Sequence, residues 1–116
     1  MMSILKNRSA DTILASRLRL CRSYFSRLLG LMGTPRLDPD EACWIIPCNS
    51  VHTLGMKYPL DLYFLDKKNQ VVAILENMKP NRFSPVFWKA HSVVEFSGGI
   101  SRSCKIGDQL AAEEDP

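Results

Sequence analysis

With 116 residues, 46% of them hydrophobic and 23% charged, the chain has the size and composition of one ordinary globular domain. No apolar run approaches the ~20 residues that cross a bilayer, and the opening MMSILKNRSADTILASRLRL scatters charge where an export signal would be continuously apolar. The net charge of +3 is too mild to demand a polyanionic partner, so a soluble, cytoplasmic single domain is expected, without a membrane span or resident cofactor and with no call for an oligomer.

The segment LKNRSADT is rich in turn formers and reads as a connection before the first strand. From Thr12 to Cys21, Leu14, Ser16, Leu18 and Leu20 alternate against Ala15, Arg17, Arg19 and Cys21, which predicts a half-buried strand with both arginines outward. Ser23 can cap a following short helix, in which Phe25, Leu28, Leu29 and Met32 make one apolar stripe. Two glycines, Gly30 and Gly33, and then Pro35 end it.

Turn residues from Pro35 to Glu41 lead to a short buried strand from Ala42 to Pro47. Asn49 to Thr53 is too polar for another strand, and Leu54 to Pro59 reads as a bend over the core. Leu60 to Asp66 has the clearest strand pattern, with Leu60, Leu62 and Phe64 on one face and Asp61, Tyr63 and Leu65 on the other. Asp66 to Gln70 is a polar hairpin loop with Asn69 as its left-handed residue, and Val71 to Glu76 is the return strand.

Lys79 to Val86 reads as loop, and His91 to Ser97 as a further strand broken by Gly98-Gly99. Ile100 to Cys104 is expected to make a helical turn, Gly107-Asp108 a tight turn into a last short strand, and Glu113, Glu114 and Asp115 a frayed end. The whole predicts a mainly β domain, a compact antiparallel sandwich or jelly-roll-like barrel with one short α-helix. Its core spans about 12–110, flanked by 1–11 and 111–116.

RLLGLMG, a tryptophan strand, HTLGMKYPLDLYFLDKKNQVVAILENM, SVVEFSGG and KIGDQL follow one another in an order and spacing that resembles the domain of unknown function 192 family of bacteria and archaea. The resemblance runs from about Leu14 to Leu110 and implies a compact mostly-β sandwich or barrel with a small helix. It carries no catalytic residue over and does not fix cellular location, because some relatives bear export signals and others do not. One departure is Phe96-Ser97-Gly98-Gly99, where relatives usually have Leu-Pro-Ala-Gly, which predicts a looser start to the last helical turn.

Candidate chemistry gathers at His52, Thr53, Asp61 and Asp66. A carboxylate beside an imidazole fixes its tautomer, the minimum for acid–base work, so His52 with Asp61 could serve a hydrolase-like enzyme. The simpler role for the pair is to tie the Pro47–Pro59 bend to the hairpin by hydrogen bonds. No G-x-S-x-G motif accompanies it. Cys43, Cys48 and His52 form C-x4-C-x3-H, but a structural zinc site needs a fourth ligand and a strand would turn the two cysteines to opposite faces, so no metal is expected.

Cys21, Cys43, Cys48 and Cys104 lack CxxC spacing, and reduced, partly buried thiols are the default, with disulfides still open. Arg17, Arg19, Arg22 and Arg27 form a basic face without stacking aromatics beside them, which argues against nucleic acid. Phe83, Phe87 and Trp88 lie in a proline-rich loop, where aromatics can stack on sugars or peptides. The leading expectation is therefore a non-catalytic module with a site of His52, Thr53, Asp61 and Trp88 for a small ligand, a glycan or a protein partner. A scaffold with exposed strand edges is a third reading.

Overall fold

The computed structural model describes residues 3–21 and 37–114. Seven strands make one sheet: β1 (Ser3–Asn7), β2 (Thr12–Cys21), β3 (Glu41–Ile45), β4 (Leu60–Leu65), β5 (Val71–Met78), β6 (Ser92–Ser97) and β7 (Leu110–Glu114). Their spatial order is β5-β4-β6-β3-β2-β1-β7, and every neighbouring pair is antiparallel except β2 and β3, which run parallel.

The architecture is mainly β, as expected, but it is one curled sheet rather than two packed sheets or a closed barrel. Its two edges meet at the bridge between Gln70 and Gln109, flanked by Val71 N–H to Asp108 O (2.9 Å) and Leu110 N–H to Asn69 O (2.9 Å). The expected helix from Ser23 lies outside the described residues, which contain no α-helix.

β4 is buried along its whole length because both faces of the sheet are covered. Leu60, Leu62 and Phe64 join Ile45, Val93 and Met56 in one cluster. Tyr63 and Leu65 join Leu5, Trp44, Phe96 and Leu110 in the other, inside the curl. The alternation read from the sequence for β4 therefore sorts its apolar side chains between the two clusters.

The first strand was hidden by its turn-like composition. Ser3–Asn7 pairs with both β2 and β7, and the polar residues after it form the hairpin turn. At the other end, residues expected to fray are strand as far as Glu114, because β1 supplies a partner. In β2 the register against β1 slips twice, which breaks strict alternation: Ala15 packs on the same cluster as Leu14 and Leu18, while Cys21 belongs to the other.

The stretch Ile100–Cys104 forms no helical turn. Nor is the chain loose where the family pattern departs: a Cβ on Gly98 would lie 2.7 Å from the carbonyl carbon of Pro59. The glycine thus permits a close backbone approach, sealed by Gly98 N–H to Pro59 O at 3.0 Å.

Candidate functional site

Two segments that read as independent loops are laced together. Cys48 N–H donates to His91 O (2.8 Å), Phe87 N–H to Asn49 O (2.9 Å), Ser84 N–H to Val51 O (2.7 Å) and Thr53 N–H to Arg82 O (2.8 Å). Residues 48–53 and 82–91 thus run side by side over the Leu60/Leu62/Phe64 face. Val51 and Met56 are buried there, and the Phe87 ring lies 4.5 Å from that of Phe64.

Between them opens a cleft of about 470 Å³, lined by Pro47 to His52 on one side and by Phe83 and Ser84 on the other. Backbone bridging pairs His52 with Phe83, and their rings sit 6.0 Å apart, tilted by 54°. His52 Nδ1 accepts from Leu54 N–H at 3.3 Å. Among the described residues, the two most exposed large apolar side chains are on the same loop: Phe83 is 71% exposed and Trp88 85%.

Each expected site residue has a definite place. His52 lines the cleft. Thr53 is buried behind it, where its hydroxyl donates to Lys79 O (2.7 Å) and accepts from Arg82 N–H (3.0 Å), so it shapes the loop from inside. Trp88 stands on the loop, outside the set that lines the cleft.

Asp61 alternates away from the Leu60/Leu62/Phe64 face and lies on the far side of the sheet. Its carboxylate accepts from Asn77 N–H (2.7 Å), Gly99 N–H (3.0 Å), Ile100 N–H (3.3 Å) and the Arg102 guanidinium (2.6 Å). None of these donors is His52. The sequence missed Arg102 as the acid's partner because its position falls in an irregular segment with no periodic signal. Asp66 stays local: it accepts from Lys68 N–H (2.8 Å) and Gln70 N–H (3.0 Å) and folds the hairpin loop around Asn69, whose φ is 63° as expected.

Cys43 and Cys48 do not diverge as an uninterrupted strand would make them. The chain turns after β3, and both sulfurs pack on the same cluster. Cys43 meets Cys21, with 2.7 Å between sulfurs, while the Cys48 thiol donates to Ser50 O at 3.0 Å. Among the described residues no three His, Cys, Asp or Glu side chains converge as metal ligands would.

The expected basic face is partly neutralised. Arg17 Nη2 reaches Asp38 (2.8 Å), Asp40 (2.9 Å) and Glu41 (3.4 Å), and this holds the Asp40 carboxyl down at about 2. Arg22 and Arg27 lie outside the described residues. No described helix is long and apolar enough to cross a membrane.

The model of the DUF192 family, described as "Uncharacterized ACR", matches residues 5–112. A UPF0127 protein of Thermococcus sibiricus is 27% identical over 114 residues, covering 92% of this chain and 73% of its own. Two crystal structures share the fold. One, a protein of unknown function from Novosphingobium aromaticivorans, has a TM-score of 0.76 and 22% identity over 94% of this chain and 82% of its own. The other, from Sinorhizobium meliloti and described provisionally as a transcription regulator, has a TM-score of 0.73 and 20% identity over 95% of this chain and 91% of its own.

Proposed function

The chain belongs to the DUF192 family, and from the geometry of its cleft we propose that it is a binding module for a ligand or partner with an apolar face. One observation carries this reading: Phe83 and Trp88 are held in water, 71% and 85% exposed, on a loop fixed by backbone hydrogen bonds beside a cleft. Large apolar side chains on ordered backbone forgo burial, and such patches mark contact surfaces. Rigid aromatics bind at low entropic cost.

His52 supplies a polar contact at the cleft wall, and Thr53 holds the wall in shape. A sugar ring or an apolar peptide side chain fits this pairing of flat aromatic and polar edge. A hydrolytic role is less well supported, because among the described residues no carboxylate lines the cleft and Asp61 is engaged with Arg102.

A thermal-shift screen of glycans and short peptides tests the proposal, since a ligand that binds the native state alone raises the melting temperature further as its concentration exceeds its Kd. A hit should also move tryptophan emission, and Trp88→Ala should abolish both effects. Hits that survive Trp88→Ala and His52→Ala unchanged would place binding elsewhere.

A further inference from the structure

Cys21 and Cys43 are the two thiols that the fold brings together, at a sulfur–sulfur distance of 2.7 Å and with 3% and 0% exposure. That separation is within roughly 0.7 Å of a disulfide bond, which measures about 2.05 Å. The other two cysteines are apart from it: Cys48 is engaged with Ser50 O, and Cys104 packs on the opposite face of the sheet.

The contact follows from strand register. β2 and β3 run parallel with Arg19 opposite Cys43, so Cys21 is two residues further along and on the same face, a diagonal neighbour. With strands about 4.8 Å apart and about 3.3 Å of rise per residue, diagonal backbones stand roughly 8 Å apart, so closing the bond draws the two strands together.

We propose that Cys21 and Cys43 form a reversible dithiol–disulfide site that hydrogen peroxide oxidises across the parallel β2–β3 pair. The Cys21 thiolate attacks one peroxide oxygen, the O–O bond breaks, and the leaving oxygen departs as water after taking a proton, giving a sulfenic acid on Cys21. Cys43 sulfur then attacks the Cys21 sulfur, the S–O bond breaks, and the hydroxyl leaves as a second water carrying the Cys43 proton. Two thiols lose two electrons and one peroxide becomes two waters. The division of labour matches the surroundings: the hydrogen bond from Cys43 lowers the Cys21 thiol, aided by Arg19 against the effect of burial. Cys43 itself is raised by that contact and by burial.

Thiol mapping of the folded full-length chain tests this. After treatment with equimolar hydrogen peroxide, alkylation under denaturing conditions and trypsin digestion, the peptide 20–22 should be joined to the peptide 37–57. Cys48 on that second peptide, and Cys104, should both be alkylated. Dithiothreitol should separate the two peptides. Alkylation of both Cys21 and Cys43, a link through Cys48 or Cys104, or a product that dithiothreitol cannot reverse would overturn the proposal. In folded Cys43→Ser the sulfenic acid should persist on Cys21 and be captured by dimedone, and its absence would equally count against the site. If that variant fails to fold, the mapping of the unsubstituted chain decides alone.

Discussion

Asp61 and Arg102 form an ion pair at 2.6 Å whose side chains are 1% and 5% exposed. Arg102 also donates to Ile100 O (2.9 Å) and Ser97 O (3.0 Å) and lies 4.1 Å above the Phe96 ring. With the three backbone amides that Asp61 accepts, the pair joins the end of β5 to the turn after β6.

Removing one partner of such a pair leaves the other buried and uncompensated, at a cost of about 3–5 kcal/mol. Arg102→Ala should therefore lower stability by that order in urea unfolding, while the exposed Arg82→Ala should change it by less than about 0.5 kcal/mol. Equal, small effects would mean that the pair is not structural.

A second polar tie joins the ends of the domain. Asn7 Nδ2 donates to Asp108 Oδ2 (2.8 Å) and Ser103 O (2.7 Å), and Lys105 N–H also donates to Asp108 (3.0 Å). The Asn7 hydrogen bond chiefly holds the Asp108 carboxyl below its ordinary value, and Asp40 is held near 2 by Arg17 and Ser16. Both acids titrate lower folded than unfolded, so between the two values the unfolded chain binds more protons and stability rises with pH. The contribution is present above about 4, the unfolded carboxyl value, and is lost as pH falls through the folded values. Asn7→Ala should shallow that acid limb in urea titrations from pH 5 to 2, and an unchanged slope would contradict the assignment.

The two tryptophans should report separately. Trp44 is 3% exposed with its indole N–H on Ser92 Oγ at 2.9 Å, whereas Trp88 is 85% exposed. Iodide should quench one emitting population and spare the other, and Trp88→Phe should remove the quenchable one with less than about 0.5 kcal/mol change in stability. Ser92→Ala, by leaving a buried donor unpaired, should cost about 1–3 kcal/mol. Uniform quenching of both indoles would contradict the placement of Trp88.

Period-two alternation made β4 legible, and Asp66 with Asn69 made the hairpin between it and the return strand legible. β1 was not, because Lys6 and Asn7 look like turn residues until β2 and β7 are known to flank them. Topology was equally hidden: nothing local says that β3 lies beside β2 in parallel or that Cys21 meets Cys43. For the site, sequence isolated His52 and the aromatic loop but matched His52 with the wrong element. The residue beside it is Phe83, brought by lacing of the 48–53 and 82–91 segments, whereas the acid at 61 turns through the sheet because alternation in β4 sends it there.

Amide chemical-shift mapping with a stabilising glycan or peptide tests the binding account most directly. The account predicts perturbations concentrated at His52, Phe83, Ser84 and the Trp88 indole, saturating together. Shifts concentrated around Asp61 and Arg102, or no perturbation at the cleft by any compound that raises the melting temperature, would contradict it.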